Sequence, residues 1–325
     1  MKGAAAVTIV RGQGASGEDT LASDVRAALS GTPKVLGPKH LYDERGSGLY
    51  ERITTEAPEY YPARCEREIL NRRVPELTAG ARELVELGSG IASKTRALLY
   101  ALAASGSLRR YVPFDVSEDV VEQCAAELIE LFPGLRVHGV VGDFERDLER
   151  LPPGERRVFA FLGGTIGNLH TPERERFLGR LRDLMGPHDR LLLGTDLVKD
   201  TAVIEAAYND SQGVTAEFNR NVLRVVNAGL EADFDPDAFS HRAFFDPDCS
   251  RIEMRLRADG RQHVRIPGAG LAVSFADGEE LRTEISTKFT PEAIKDELAS
   301  AGLAVERFLT DSKGLFGLTL ASRRP

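Results

Sequence analysis

Metal and disulfide chemistry are poorly provided for in this sequence. The three cysteines, Cys65, Cys124 and Cys249, are odd in number, far apart and form no CxxC pair, which argues against a disulfide framework and a thiolate zinc site. The six histidines (40, 138, 170, 188, 241 and 263) show no HxH or HxxxH spacing, so no metal is expected. Basic residues are outnumbered: 42 Lys and Arg stand against 50 Asp and Glu, and a formal charge of −8 disfavours nucleic acid or an anionic membrane as partner. No apolar run approaches the length of a membrane span. Met1-Lys2 followed by Ala4 to Val10 faintly suggests a signal peptide, but the run is short and Arg11 is followed by polar, glycine-rich sequence. Residues 1–17 are therefore read as a disordered tail, and a cytoplasmic monomer is the expectation.

What is present is a core and a pattern. The chain has 325 residues, 42% of them hydrophobic, enough for a sizeable interior and long for one domain. Between residues 84 and 168, four apolar runs each end in glycine or acid. Leu84 to Leu87 runs into Gly88-Ser89-Gly90, and Tyr111 to Phe114 into Asp115. Val137 to Val141 runs into Gly142-Asp143-Phe144, and Val158 to Leu162 into Gly163-Gly164-Thr165-Ile166-Gly167-Asn168. Residues 191–196 form a fifth run. Helical segments lie between them: Ser117 can cap a helix over 118–131 with a stripe of Val120, Val121, Cys124, Leu128 and Leu131, and Pro172 opens another helix. Alternation of this kind predicts an α/β fold with a doubly wound parallel sheet. After residue 198 the texture changes. Residues 251–258 and 281–289 alternate apolar and polar, as in an antiparallel patch inserted into the α/β unit, before Thr290-Pro291 restarts the helical pattern.

Strands of a parallel sheet present their ligand groups at their carboxyl ends, so the four clusters should share one rim. Gly88-Ser89-Gly90 allows a tight turn and close approach of backbone to a ligand. Asp115, at the end of the next strand, can accept both hydroxyls of a ribose, and Asp143-Phe144 offers an acid and an aromatic wall for adenine. Ser93 stands where a nicotinamide fingerprint has its third glycine, which disfavours a dehydrogenase, and no phosphate cradle is present despite Lys94-Thr95. An adenosine without pyrophosphate suits this rim; S-adenosylmethionine is the common one, with Lys94 placed to hold its methionyl carboxylate.

The residues also carry a resemblance. Glu86 to Gly90, Ser93 to Arg96, Pro113-Phe114-Asp115, Gly142-Asp143-Phe144 and Thr165 to Leu169 resemble the histidine Nα-methyltransferases of ergothioneine biosynthesis. So do Pro58 to Arg64, Leu193 to Asp200, Phe218 to Asn221 and Glu284-Ile285-Ser286. The resemblance runs from about residue 20 to the C-terminus. It implies a class I methyltransferase domain over 64–197 plus 288–325, and a substrate-binding domain over 18–63 plus 198–287. It implies that Gly88, Lys94, Asp115, Asp143 and Phe144 bind S-adenosylmethionine. Tyr42, Tyr60, Asn168 and Tyr208 would grip the amino and carboxylate ends of L-histidine, with Asn168 and Tyr42 orienting the amine. Glu284 and Ser286 would read the imidazole, and Met254 would line its pocket. Two residues apart on a strand, Glu284 and Ser286 would point to one face about 7 Å apart, although the same pattern suits a solvated face beside Arg282 and Lys288. The chain lacks tryptophan, whereas such proteins often carry aromatics near His40, Leu41, Phe308 and Leu309, so changed packing is expected there. Two other readings stand beside this one: an N-methyltransferase of the same fold acting on another amino acid such as tryptophan, and a cofactor-binding protein without activity.

Overall fold

The computed structural model describes residues 6–12, 17–90 and 95–324. The chain opens with strand β1 (Ala6–Arg11), helix α1 (Gly17–Ser30), the short strand β2 (Lys34–Val35) and helices α2 (Glu44–Glu56) and α3 (Pro62–Thr78). Strands and helices then alternate through β3 (Glu83–Leu87), α4 (Arg96–Ala104), β4 (Arg110–Asp115), α5 (Glu118–Leu131), β5 (Arg136–Val141), β6 (Arg157–Phe161), α6 (Thr171–Leu184) and β7 (Arg190–Asp196). Helices α7 (Thr201–Ala207) and α8 (Val214–Leu230) precede β8 (Phe239–Asp246), β9 (Arg251–Ala258), β10 (Gln262–Ile266), β11 (Leu271–Phe275) and β12 (Glu280–Thr287). The last elements are α9 (Pro291–Ser300), β13 (Leu303–Thr310) and β14 (Phe316–Arg323). Contacts divide the chain into two compact units. The first holds Met1–Ala15, Cys65–Leu197 and Phe289–Pro325; the second holds Ser16–Arg64 and Val198–Lys288.

The first unit is built on an eight-stranded sheet in the order β1-β5-β4-β3-β6-β7-β14-β13. The strands from β1 to β7 are mutually parallel, while β14 is antiparallel to β7 and to β13. Every residue of β3 and β6 is buried, as expected of central parallel strands covered on both faces. Phe114, Phe159, Phe161, Phe177, Leu181 and Leu193 lie in the core that holds these strands against their helices. Helix α5 spans the predicted residues, with Ser117 Oγ accepting from the Val120 N–H and Glu118 and Asp119 in the first turn. Its buried stripe is Val121, Cys124, Ala125 and Leu128. Leu131, the last residue of the helix, is exposed.

Residues 6–11 differ from the expectation of a disordered tail. They form β1, parallel to β5 from Ala6 beside Arg136 to Arg11 beside Val141, and the Gly12 N–H donates to the Val141 carbonyl at 2.7 Å. Val7, Thr8, Ile9 and Val10 are β-branched and suited to an edge strand. A lone run of six residues carries no local sign of a partner 130 residues away, which is why the pairing is hidden in the sequence.

The second unit contains a four-stranded sheet, β2-β12-β9-β8, and the hairpin β10-β11. Strand β12 runs antiparallel to β9, with Glu284 beside Met254 and Ser286 beside Ile252; the register shifts between Arg282 and Glu284. Helix α8 carries buried polar residues as well as an apolar face. Asn219, wholly buried, donates to His241 Nδ1 at 2.9 Å and to the Arg255 carbonyl at 3.0 Å, and accepts from Thr283 Oγ1 at 2.5 Å. One side chain thus ties α8 to β8, β9 and β12. Among the described residues no helix is long and apolar enough to cross a membrane.

Candidate functional site

The carboxyl ends of β3, β4, β5 and β6 fall on one edge of the first unit's sheet, because these strands are adjacent and parallel. After β3 the chain turns at Gly88 (φ +70°) and Gly90 (φ +48°), a left-handed backbone that glycine adopts without strain. The Gly88 and Ser89 N–H groups donate to the Phe114 carbonyl at 2.8 and 3.2 Å, which binds the turn to the end of β4. Asp115 sits beside it, half-buried, with Oδ2 accepting from the Gly90 N–H at 2.9 Å and Oδ1 from the Ser117 N–H at 3.1 Å. Burial raises its carboxyl above the ordinary range, an effect the backbone donors partly offset. The Gly142 N–H donates to the Asp115 carbonyl at 2.8 Å, which sets the end of β5 next to that of β4. Asp143 Oδ1 accepts from the Glu145 N–H at 2.8 Å, and the Phe144 ring packs edge-on against Phe161 and Phe177 at 5.3 and 5.6 Å. Gly88, Asp115, Asp143 and Phe144 therefore share one rim. Lys94 lies outside the described residues.

Two further carboxylates support this edge, and neither was singled out from sequence. Glu86, buried within β3, accepts from Thr95 Oγ1 at 2.6 Å and from the Tyr111 hydroxyl, so it ties β3 to the residue that opens α4. Glu66, buried on α3, accepts from the Gly163 N–H at 2.7 Å at the end of β6. Glu86 is signalled only as a charged residue between Val85 and Leu87, and Glu66, in the charged run Arg64-Cys65-Glu66-Arg67-Glu68, carries no such signal. Beyond β6, Gly163 and Gly164 have φ of +77° and +72° and lead into the 3₁₀ turn Thr165–Asn168, which places Asn168 half-buried on the same edge.

The substrate candidates of the second unit form two groups. The first is aromatic. Tyr42 meets Tyr50 and Phe218 at 5.5 and 5.4 Å, and Tyr60 meets Tyr50 and Tyr208 at 6.2 Å each. The Tyr50 and Tyr60 hydroxyls are 3.3 Å apart. Tyr50, which joins Tyr42 to Tyr60, and Phe218, which packs on Tyr42 and Tyr50, were not among the candidates. Tyr60 and Tyr208 are buried, and burial pushes the Tyr60 phenol well above its ordinary range. Arg64 holds the Tyr60 segment by donating to the carbonyls of Ala57, Pro58 and Tyr60. Asn221 Nδ2 donates to Asp43 Oδ1 at 2.6 Å, which fixes the segment that carries Tyr42.

The second group lies on β12 and β9. Glu284, Ser286 and Met254 are buried rather than solvated. Lys288 belongs with them. It is 2% exposed, and its Nζ donates to Ser286 Oγ at 2.9 Å and to the Tyr208 hydroxyl at 3.0 Å. Lys288 extends the period-two face of Glu284 and Ser286, a signal available in the sequence that its charge concealed. Burial lifts the Glu284 carboxyl to about 7, against the opposing charge of Lys288. Lys288 thus brings Ser286 and Tyr208 together, and Glu284 stands beside Met254 in register. Asn168 belongs to the first unit, and the other substrate candidates to the second.

Comparison with known proteins agrees with this chemistry. The family model described as "Histidine-specific methyltransferase, SAM-dependent" matches residues 21–323. The chain is 52% identical over 310 residues to the histidine N-alpha-methyltransferase of Mycobacterium tuberculosis, covering 95% of this chain and 96% of that protein. The histidine N-alpha-methyltransferase of Mycolicibacterium smegmatis is 51% identical over the same shares. Ergothioneine biosynthesis protein 1 of Neurospora crassa is 32% identical over 255 residues, covering 72% of this chain and 29% of that protein. With the class I methyltransferase arrangement of its parallel sheet and a family match across nearly its whole length, the chain belongs to the histidine-specific, S-adenosylmethionine-dependent methyltransferases.

Proposed function

We propose that this chain methylates the α-amine of L-histidine with S-adenosylmethionine as donor, in three successive transfers that end at the betaine hercynine, the first step of ergothioneine biosynthesis. It acts in this reading as a cytoplasmic monomer without a metal. The observation that carries the choice of substrate is the buried face of Glu284, Ser286 and Lys288. A buried carboxylate and hydroxyl on one strand face suit the two nitrogens of an imidazole better than an apolar side chain, because unmatched buried polar groups are costly.

The cofactor residues fit an adenosine on three counts. Asp115 accepts backbone N–H groups on both oxygens, and its charged carboxylate keeps acceptor capacity for a ribose hydroxyl. The Ser89 hydroxyl is buried in the glycine turn with no hydrogen-bond partner among the described residues. Phe144 is only partly buried, which leaves ring surface for adenine. Gly88, Asp115, Asp143, Phe144 and Lys94 would hold the cofactor, which when bound supplies a methyl group already activated by a sulfonium.

The protein's work is then binding and alignment. Holding two reactants in line lowers a barrier by about 7–11 kcal/mol. Tyr60 and Tyr208 hold the amino-acid end, Met254 lines the ring pocket, and Tyr42 and Asn168 orient the amine lone pair. The amine must be neutral to attack, and a neighbouring cation lowers its pKa from an ordinary value near 8. Each transfer replaces an amine hydrogen, so anchoring through the ring and carboxylate outlasts the loss of donors on the amine. Steady-state kinetics of Glu284→Ala test the reading. The variant should lose roughly 10²-fold or more in kcat/KM for histidine and gain relative preference for apolar aromatic amino acids. Unchanged histidine kinetics would overturn the assignment.

A further inference from the structure

A buried ammonium is costly unless its hydrogens are matched. Lys288 has such partners. Its Nζ donates to Ser286 Oγ and the Tyr208 hydroxyl, and lies 4.6 Å from the centre of the Tyr208 ring. Its backbone is clamped as well: the Lys288 N–H donates to the Ser250 carbonyl at 2.7 Å, and Ser250 Oγ donates to the Lys288 carbonyl at 3.1 Å. Ser250 reaches both groups from a left-handed conformation, φ +49°. Lysine on a strand next to a turn is ordinarily solvated; here both its backbone and its charge are locked in the interior.

An ammonium has hydrogens and no lone pair, so it only donates. A hydroxyl that accepts from it must turn its own hydrogen elsewhere. We infer that Lys288 is a positioning residue that fixes Ser286 and Tyr208 as donors toward the substrate, so that Glu284 as acceptor and Ser286 as donor together read one ring N–H and one ring lone pair, the pattern of a neutral imidazole. The inference rests on the reading that Glu284 and Ser286 receive the ring. It adds the reason why a hydroxyl, which by itself donates or accepts equally well, has one direction here. Without the ammonium, Ser286 rotates, and a ring with no acceptor nitrogen loses much of its handicap.

The test compares L-histidine with the two pyrrolylalanines, each of which keeps one ring N–H and has no acceptor nitrogen. The wild-type enzyme should favour histidine over the better pyrrolylalanine by roughly 10–100-fold in kcat/KM, the effect of one unmatched buried donor. In Lys288→Met that ratio should fall at least about tenfold, carried mainly by KM, and Lys288→Arg, which still only donates, should restore most of it. Should Lys288→Met fail to fold, Lys288→Gln carries the same expectation, because its amide can accept as well as donate. Calorimetric binding of S-adenosylhomocysteine checks that each variant is folded. If Lys288→Met weakens histidine and both pyrrolylalanines equally, Lys288 is only structural and the inference fails. If Ser286→Ala also leaves the ratio unchanged and Glu284→Ala leaves histidine turnover unchanged, the ring-reading itself is wrong, and the inference falls with it.

Discussion

Asp115→Asn tests the cofactor role of the rim while keeping the size and shape of the side chain. Both carboxylate oxygens are already engaged, Oδ2 by the Gly90 N–H and Oδ1 by the Ser117 N–H, and the charged group keeps acceptor capacity for a ligand's hydroxyls. Asparagine supplies one oxygen. Its amide nitrogen must face a backbone N–H, donor against donor, and has nothing to offer a hydroxyl on that side as an acceptor. A hydrogen bond to a charged group is worth about 1.5–3 kcal/mol, so losing one and weakening the other costs about 3 kcal/mol, or roughly 10²-fold in Kd. Isothermal calorimetry with S-adenosylhomocysteine measures this without turnover. The pH dependence gives a second signature. Burial raises the Asp115 carboxyl, and the ligand's hydroxyls favour its ionised form, so wild-type affinity should fall on acidification sooner than an ordinary carboxylate would allow. That limb should vanish in Asp115→Asn. A variant that binds within about threefold of wild type, less than 1 kcal/mol, would refute the ribose assignment.

Two further predictions follow from the second unit. With Glu284 lifted to about 7, histidine KM should rise as pH falls through that value, because the acceptor for the ring N–H is then protonated; Glu284→Ala should lose this limb and keep only the one from protonation of the substrate's own imidazole, ordinarily at about 6.5, together with the separate rise in rate from amine deprotonation. Asn219→Ala should destabilise the fold by about 3 kcal/mol or more in a denaturant titration, since the His241 Nδ1, the Arg255 carbonyl and the Thr283 hydroxyl all lose the partner they share; a loss below about 1 kcal/mol would show that this network is not what joins α8 to the sheet.

Much of the first unit was legible because its signals are local. The apolar runs that lead into Gly88, Asp115, Gly142 and Gly163 are strands within a residue or two of expectation, and Ser117 caps α5 as its side chain predicts. The pairing of β1 with β5 was not legible, because nothing local in five β-branched and small residues and Arg11 names a partner. In the second unit the alternation of β9 and β12 was readable, but its meaning was not. Alternation assigns charged residues to solvent, whereas Glu253 is 1% exposed among Arg251, Arg255 and Arg282, and Lys288 is buried against Ser286 and Tyr208. Burial of a charge depends on partners brought from elsewhere in the chain: Tyr208 follows α7, eighty positions before Lys288. The family motifs containing Asn219 and Asn221 were recognisable as strings, and only the folded network gives their reason. Asn219 ties a helix to three strands, and Asn221 holds the segment of Tyr42 through Asp43.

The proposed substrate of this chain is histidine, methylated at its α-amine. Mass spectrometry after incubation with S-adenosylmethionine and an equimolar pool of the proteinogenic amino acids tests it most directly. Histidine alone should gain mass, through one and two methyl-for-hydrogen exchanges to three, with fragmentation placing all three on the α-nitrogen. Methylation of tryptophan or another amino acid in place of histidine, methylation on the imidazole, or an unaltered pool from protein that binds S-adenosylhomocysteine would each contradict it.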